Sequence, residues 1–202
     1  MLTGRRVLLR PLAVSDFEAW REVRTRSQDW LLKWEPRQLP GQPDATEDRR
    51  VFAARCGARE RERQLGSGFG FGIFIGRERS RFAGEINLSS VQRGPYQNAY
   101  VGYWIDEAVA GNAYVPEAFV VLCKYAFDDL GLHRLQASII PRNAPSHRVA
   151  AKLGLRDEGT ALRYLEINGR WEDHVRYAIT SEDWDEKRES YLRDWISDSA
   201  EA

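Results

Sequence analysis

The sequence contains few of the residues that usually bind metal ions. Among its 202 residues there are two cysteines and three histidines. Cys56 and Cys123 lie far apart in the chain, and His133, His147 and His174 have no cysteine or carboxylate cluster at metal-ligand spacing beside them. We therefore expect neither a structural nor a catalytic metal ion.

The sequence also lacks net charge and long apolar runs. Its 30 basic and 30 acidic residues cancel, so no overall field attracts the protein to nucleic acid or to an anionic membrane. No apolar run approaches the roughly 20 residues of a transmembrane helix, and the N-terminus lacks the apolar core of a signal peptide. We expect a cytoplasmic protein without membrane or bulk nucleic-acid binding.

What the sequence does contain favours one packed domain. Seven tryptophans and a hydrophobic fraction of 43% are enough for a substantial core. A chain of this length fits a single domain over residues 1–202 better than two domains. The final segment, 197–202, is small and polar, and we expect it to be a frayed tail.

A glycine-rich stretch at residues 66–76 has the pattern of a strand. Its glycines alternate with Phe69, Phe71, Ile73 and Ile75, which gives a period of two residues. The spacing of a dinucleotide-binding or kinase loop is absent, and no helix follows the stretch. We therefore interpret it as a β-strand and not as a phosphate loop.

The middle of the chain predicts a strand, a helix and a second strand. "NAYVGYWID" and "RLQASII" have strand character, and between them apolar residues recur at helical spacing from Tyr114 onward. Such a crossover makes the strands near 99 and 134 parallel. The other strands, including a hairpin with a type I′ turn at Asn168 and Gly169, are antiparallel neighbours. We expect an α+β fold with a mixed, largely antiparallel sheet and flanking helices.

The junction "AGNAYV", residues 110–115, joins the first of these strands to the helix. The first amides of a helix have no intrahelical partner, and the helix dipole is positive there. Small residues allow an anion such as a phosphate group to approach the backbone. The junction therefore either binds an anion or is a turn whose small residues serve only close packing.

The order of three segments resembles a known family. "VGYWIDEAVAGNAYVPEAF", "FDDLGLHRLQASIIPRNAPSHRVAAKLGLRDEG" and "RYLEINGRWEDHVRYAI" are similar to the GCN5-related N-acetyltransferase (GNAT) superfamily, and within it to the RimJ-type ribosomal-protein-alanine N-acetyltransferases. The resemblance implies the GNAT fold, in which the parallel strand pair is splayed, and direct transfer of acetyl from acetyl-CoA to a primary amine.

The resemblance leaves the acceptor open. The acceptor that it implies first is the N-terminal α-amine of a protein, for example a ribosomal protein. It also allows a homodimer. The alternatives are a small amine (polyamine, amino acid or aminoglycoside) and a silent acyl-CoA-binding module.

The resemblance also implies which residues bind acetyl-CoA. The family's phosphate turn is Gln/Arg-x-x-Gly-x-Gly/Ala, and this chain departs from it at Ala110, Ala113 and Val115. A methyl group at 113 would crowd a phosphate oxygen. The side chains of Lys152 and Arg148 are both candidates to face the nucleotide phosphates. For each of them the alternative is a solvated charge. The backbone positions implied for the cofactor are Gly111, Asn112, Ala113, Tyr114 and Val115 for the pyrophosphate, and Tyr103, Trp104 and Ile105, with the Asn143 side chain, for the pantetheine.

The catalytic positions are less complete. The tyrosine that many relatives use as acid corresponds to Ala150, whereas the serine that others use corresponds to Ser146. The glutamate that some relatives use as base corresponds to Leu165. We therefore expect Ser146 to act as the acid and Glu85, in "GEINLSS" with Asn87 on the same strand face, as the base. The alternatives for the base are Glu166 and His174, and Ser146 is otherwise a helix-capping residue.

Overall fold

The computed structural model describes residues 1–39 and 41–196, so the predicted tail at 197–202 lies outside the described residues. The strands are β1 (Leu2–Thr3), β2 (Leu8–Arg10), β3 (Phe69–Ile75), β4 (Arg81–Gln92), β5 (Asn98–Ile105), β6 (Arg134–Ile139), β7 (Arg156–Ile167) and β8 (Arg170–Thr180). They form one sheet in the order β1-β2-β3-β4-β5-β6-β8-β7. The helices are α1 (Phe17–Arg26), α2 (Gln28–Leu31), α3 (Arg49–Gln64), α4 (Tyr114–Lys124), α5 (Ala144–Lys152) and α6 (Ser181–Tyr191).

The sheet is mixed, as predicted, because β5 and β6 are parallel while all other neighbours are antiparallel. The parallel pairing covers three residues and ends at Tyr100 opposite Gln136. β5 continues to Ile105 and β6 to Ile139 without further pairing between them. The two strands therefore separate at their carboxyl ends, and the sheet opens there.

Helices pack on both faces of the sheet. α1 and α3 cover one face, where Phe17, Trp20 and Phe52 pack with Phe74 and Phe82. On the other face α4 and α6 join the larger core cluster. The alternation in β3 follows from this arrangement. Its large apolar side chains at 69, 71, 73 and 75 belong to the larger core, whereas a Cβ added at Gly70 would lie 3.3 Å from the Arg59 side chain of α3.

Local sequence signals set several element ends. Asn143 caps α5, since its side chain accepts a hydrogen bond from the Ser146 amide at 3.3 Å. Asn168 and Gly169 both have positive φ, 47° and 79°, as the two central residues of a type I′ turn require. In the described ranges, 1–39 and 41–196, no helix is both long and apolar enough to cross a membrane.

Candidate active site

A cavity of about 890 Å³ lies where β5 and β6 separate. Residues from both sheet faces line it, because the opening of the sheet connects them. On the side of α4, which we call the α4 side, the lining residues are Tyr103, Ile105, Val109–Gly111, Ala113–Pro116, Asn143, Pro145, Ser146, Arg148, Val149 and Lys152. On the side of α1, which we call the α1 side, they are Trp20, Arg24, Trp30, Leu31, Trp34–Pro36, Arg55, Arg59, Glu85, Asn87, Gly102 and Trp104.

The turn before α4 forms one end of the cavity. Gly111 has φ 83° and Ala113 has φ 62°, so both backbones are left-handed. The first amide with an intrahelical acceptor is that of Glu117, which donates to Ala113 O at 3.2 Å. The amides of Tyr114 and Val115 therefore lack such a bond, and Pro116 has no N–H to donate. This arrangement can bind an anion at the helix N-terminus.

Asn112 does not line the cavity, unlike its neighbours in this turn. Its side-chain amide instead donates a hydrogen bond to Val109 O at 3.1 Å. Its own carbonyl accepts a hydrogen bond from Arg6 Nη1 at 3.1 Å. Asn112 thus stabilises the turn through its side chain and its carbonyl.

An ion pair between the partly exposed Arg6 and the buried carboxylate of Glu117, which the sequence did not predict, supports the same turn. Glu117 is 1% exposed, and its carboxylate accepts hydrogen bonds from the Arg6 backbone, from Arg6 Nε at 2.8 Å and from Val7 N at 2.9 Å. Arg6 therefore connects the loop before β2 to both Glu117 and Asn112. The only sequence signal was an acidic residue on an otherwise apolar helix, and it carried no information about a partner 111 residues away.

The wall between the turn and the sheet opening comes from β5 and α5. Tyr103, Trp104 and Ile105 line the cavity on the stretch of β5 that has left β6. Asn143, Ser146 and Lys152 line it from α5. The structure therefore brings all the predicted cofactor residues except Asn112 to the wall of one cavity.

Tyr103 of β5 and Ser146 of α5 line the same part of the cavity. Burial raises the pKa of Tyr103 to about 12, and the nearby Ser146 hydroxyl opposes that rise only in part. The tyrosine hydroxyl is therefore protonated at neutral pH. The resemblance implied only a backbone role for Tyr103, whereas the structure also places its buried side chain at the cavity wall.

Glu85 and Asn87 both reach the cavity on the α1 side. Glu85 accepts a hydrogen bond from Trp20 Nε1 at 2.8 Å and from Arg55 Nη2 at 2.5 Å. Asn87 Oδ1 accepts from Gly102 N at 3.1 Å. Each Glu85 oxygen thus has a partner already, so a substrate amine would reach the carboxylate through a remaining lone pair or through water.

The rest of the α1 side is rich in tryptophan, and its charged residues form ion pairs. Four of the lining residues are tryptophans: Trp20, Trp30, Trp34 and Trp104. Glu35 forms a two-point pair with Arg24 at 2.6 and 2.7 Å, and the Arg24 guanidinium lies 5.0 Å from the ring centre of Trp104. Both carboxylates on this side, Glu35 and Glu85, are therefore paired with arginine.

The other candidates for a proton acceptor lie away from the cavity. His174 is 2% exposed, bonds to the Glu172 carbonyl at 2.9 Å and packs edge-on against Tyr164. Leu165 and Glu166 are exposed on β7 and do not line the cavity. Within residues 1–39 and 41–196, no three His, Cys, Asp or Glu side chains are grouped so that they could hold a metal ion.

The sequence matches the family described as "Acetyltransferase (GNAT) domain" over residues 6–156, well over half of the chain. The chain belongs to the GNAT acetyltransferase family. It is therefore an enzyme of the N-acetyltransferase class.

Two relatives of this GNAT enzyme cover nearly all of it. The probable N-acetyltransferase YjcK of Bacillus subtilis (strain 168) is 32% identical over 183 residues, which are 91% of this chain and 98% of that protein. The ribosomal protein uS5-alanine N-acetyltransferase of Escherichia coli (strain K12) is 33% identical over 188 residues, which are 91% of this chain and 92% of that protein. The GNAT enzyme is thus close to ribosomal-protein N-acetyltransferases.

A solved structure shows the same fold. Mycobacterium smegmatis RimJ in complex with CoA-disulfide is 30% identical to this GNAT enzyme, with a TM-score of 0.84 over 96% of this chain and 91% of that chain. The predicted GNAT fold with its splayed parallel strand pair is confirmed.

Proposed function

We propose that this GNAT enzyme transfers acetyl from acetyl-CoA to the N-terminal α-amine of a protein, with a ribosomal protein as the acceptor. Its similarity to an enzyme named for ribosomal protein uS5 supports the acceptor class, and the CoA ligand of the similar solved structure supports the co-substrate. A ribosomal acceptor implies a cytoplasmic location, which stays a prediction, as does a homodimer.

The observation that carries the proposal is the cavity through the opened sheet. Its wall includes the backbone amides at the N-terminus of α4, which can bind an anion, and the Glu85 carboxylate on the α1 side. Acetyl-CoA would place its pyrophosphate on the backbone of residues 111–115 and its pantetheine along Tyr103–Ile105 beside Asn143. Lys152 and Arg148 would face the nucleotide phosphates. The acceptor would then enter from the α1 side.

The chemistry requires the amine to lose a proton and the thiolate to be stabilised as it leaves. Glu85 would accept the amine proton, directly or through water, and Ser146 would donate to the sulfur. No covalent enzyme intermediate is needed.

The charge of the α1 side bears on the acceptor. A polyamine carries several positive charges and favours a strongly acidic pocket, whereas Glu35 and Glu85 are each paired with arginine and Arg59 also lines this side. Among the described residues of the α1 side, the carboxylates are therefore already neutralised, which suits the single ammonium group of a peptide N-terminus better than a polyamine.

The test is acetyl transfer to a panel of acceptors, read by mass spectrometry. The panel holds peptides with free and blocked N-termini, a polyamine, an amino acid and an aminoglycoside. We expect acetylation of free N-terminal peptides and none of blocked ones. Transfer only to a small amine would overturn the acceptor proposal, and binding of acetyl-CoA without release of CoA in the presence of any acceptor would support the silent acyl-CoA-binding alternative.

Glu85→Gln tests the proton acceptor. The amide keeps the hydrogen-bonding shape but removes the basic group, so we expect the rate at pH 7 to fall about 10²–10⁴-fold. Part of the loss should be recovered at higher pH, where the amine is deprotonated without help. The measurement is kcat/KM as a function of pH.

Glu60→Gln is the matched control, because Glu60 also pairs with an arginine of α3, Arg63, and neither residue lines the cavity. It should leave the rate unchanged. A Glu85→Gln enzyme with normal turnover at pH 7, or with the same deficit at every pH, would contradict the role of Glu85.

A further inference from the structure

The turn before α4 is held from the side that faces away from the cavity. Arg6, in the loop before β2, donates through Nη1 to the Asn112 carbonyl at 3.1 Å. Neither Arg6 nor Asn112 lines the cavity, whereas the next residue, Ala113, does. The Asn112 carbonyl therefore points out of the cavity, toward Arg6.

The direction of that carbonyl fixes the direction of the next amide. The described residues contain no cis peptide bond, and in a planar trans peptide the carbonyl oxygen and the following N–H point in opposite directions. With the Asn112 carbonyl bonded to Arg6, the Ala113 N–H points to the cavity side. In the part of the chain that the structure describes, this amide donates to no protein acceptor. It is therefore available to an anion that binds in the turn.

A buried negative charge lies behind the same turn. Glu117 is 1% exposed and belongs to the first turn of α4. A carboxylate there repels an anion at the helix N-terminus, because a charge in the protein interior is screened less than in water. Arg6 opposes this repulsion, since its Nε lies 2.8 Å from Glu117 Oε2. The arginine thus offsets the charge of the carboxylate.

The Arg6 guanidinium makes both contacts at once, because its planar fork presents several N–H groups in fixed directions. Its central carbon also lies 4.9 Å from the ring centre of Tyr114, which lines the cavity. The backbone here is held separately, since the amides of Arg6 and Val7 both donate to Glu117 Oε1. A change of the Arg6 side chain therefore leaves this backbone contact in place.

We propose that Arg6 is a positioning residue for the pyrophosphate of acetyl-CoA: it directs the Ala113 amide into the cavity and neutralises Glu117 behind the turn. The inference rests on the proposed function, which places the pyrophosphate at residues 111–115. It goes beyond that placement because Arg6 controls the affinity for the cofactor from outside the cavity.

Arg6→Met removes the charge and keeps an unbranched side chain of similar reach. We expect the Kd of acetyl-CoA to rise about 5- to 30-fold, because both effects are lost. Arg6→Lys keeps a charge for Glu117 but lacks the fork that also reaches Asn112, so its Kd should rise only about 2- to 5-fold. Calorimetric titration without any acceptor measures both values. An affinity in Arg6→Met within about twofold of the unaltered enzyme would overturn the proposal.

Removal of the Glu117 charge distinguishes neutralisation from structural support. Glu117→Gln keeps an oxygen for the amides of Arg6 and Val7. In the Arg6→Met background it should recover part of the lost affinity, to about the level of Arg6→Lys, because no buried charge is left to neutralise. A further loss of affinity in the double variant would mean that Arg6 only supports the N-terminal segment, contrary to the proposal.

Arg188→Met is the matched control. Arg188 of α6 pairs with Asp128, beyond the other end of α4, at 2.8 and 2.7 Å. Its side chain is 39% exposed, against 44% for Arg6, and neither Arg188 nor Asp128 lines the cavity. The affinity for acetyl-CoA should stay unchanged. An equal loss in both variants would show a general effect of charge or stability and would rule out a specific role of Arg6.

Acetyl-pantetheine, which has no pyrophosphate, tests where Arg6 acts on the cofactor. Its Kd should be the same for Arg6→Met and for the unaltered enzyme. An equal loss of affinity for acetyl-pantetheine and acetyl-CoA would place the effect elsewhere in the cavity and overturn the inference.

Gly111→Val separates the inference from the proposed function, because it changes the turn itself. Gly111 has φ 83°, which a β-branched residue rarely adopts. Weaker acetyl-CoA binding in Gly111→Val but not in Arg6→Met would overturn the inference alone, and no loss in either would overturn the placement of the pyrophosphate as well. Absence of acetyl transfer to any peptide, with the affinities as expected, would overturn the proposed function and leave the role of Arg6 standing.

Discussion

Ala113 is the residue at which this chain departs most clearly from a glycine-based phosphate turn. The sequence analysis expected its methyl group to crowd a phosphate oxygen. The structure adds a second effect, because Ala113 has φ 62° and ψ 19°, the left-handed conformation. That conformation costs an L-residue with a Cβ about 1–2 kcal/mol. The turn therefore holds backbone strain where the helix begins, at the wall of the cavity.

Replacing Ala113 by Gly should relieve this strain. Glycine also makes the unfolded chain more flexible, which costs about 0.4–1 kcal/mol, so we expect a net stabilisation of about 0.5–1 kcal/mol. Acetyl-CoA affinity should stay the same or increase, since the phosphates gain room. Urea unfolding and calorimetric titration measure the two effects.

Ser90→Gly provides the comparison for this prediction. Ser90 also has a positive φ, 49°, but lies in the irregular part of β4, away from the cavity. It should change stability in the same direction and leave acetyl-CoA affinity unaltered. A weaker affinity in Ala113→Gly alone would mean that the methyl group helps to shape the phosphate turn.

At the scale of the elements, the β7–β8 hairpin supports the α1 side of the cavity. The amide of Asn168, in the hairpin turn, donates to the Glu35 carbonyl at 3.0 Å. Glu35 in turn pairs with Arg24, and both line the cavity. The hairpin thus fixes a segment against which the acceptor would bind, although the hairpin itself does not line the cavity.

Gly169→Val should therefore affect the acceptor more than the cofactor. Gly169 has φ 79°, and a β-branched residue there strains the turn by about 1–3 kcal/mol. We expect the KM of the peptide acceptor to rise about fivefold or more as Glu35 loses its support, while the Kd of acetyl-CoA is unchanged. Steady-state kinetics and calorimetric titration separate the two.

Gly94→Val tests whether backbone strain in a turn is enough to raise the KM of the peptide acceptor. Gly94 has φ 70° in the turn between β4 and β5, with no atom within 4 Å of an added Cβ. It should lower stability without changing either substrate constant. If both variants raised the peptide KM alike, the hairpin contact would not be the cause.

The elements also show which features the sequence could predict. The cap at Asn143, the turn at Asn168 and Gly169 and the start of α4 depend on residues within about four positions, so the local pattern was sufficient. Glu117 and Glu85 acquire their partners, Arg6 and Arg55, only when distant segments pack together.

The part of the cavity wall that Tyr103 and Ser146 share illustrates the same limit. Alternation along β5 indicates which residues share a face, but not which helix residue they meet. The sequence therefore located the cavity wall and left its hydrogen-bond network to the structure.

At the scale of the whole molecule, paired carboxylates couple stability to pH. For Asp106, burial by itself would raise the pKa, but hydrogen bonds from Arg26, the Ala108 amide and Ser27 outweigh it and lower the pKa. Four further carboxyl groups have both a lowered pKa and an arginine partner: Asp16, Asp128, Glu158 and Asp183.

The lowered pKa values fix the direction of the pH dependence. A carboxyl group with a lower pKa in the folded state contributes stability above its unfolded pKa, about 4, and loses it as pH falls through the folded value. The protein should therefore unfold more readily as the pH drops below about 4.

Asp106 is the carboxylate that joins the two sides of the cavity. It is 0% exposed, follows the end of β5 and precedes the turn to α4. Its carboxylate accepts hydrogen bonds from Arg26 at the end of α1, with Nε at 3.1 Å, and from Ser27 Oγ at 3.2 Å. The α1 side and the turn of the α4 side are therefore held together at one charged group, and both should loosen when it is lost.

Asp106→Asn should reduce the free energy of unfolding at pH 7 by about 1–3 kcal/mol, because Arg26 loses a charged partner that is buried. Glu22→Gln is the control at the same arginine. Glu22 also pairs with Arg26, at 2.6 Å, but its side chain is 72% exposed, so the loss should stay below about 1 kcal/mol.

As pH falls through the folded pKa of Asp106, the unaltered protein becomes protonated there too, and its advantage over Asp106→Asn should disappear. Urea unfolding at a series of pH values from 7 to below 4 measures this convergence. A difference between the two proteins that stayed constant over the whole series would show that the Asp106 carboxylate contributes through its shape alone, and that its charge does not couple the cavity to pH.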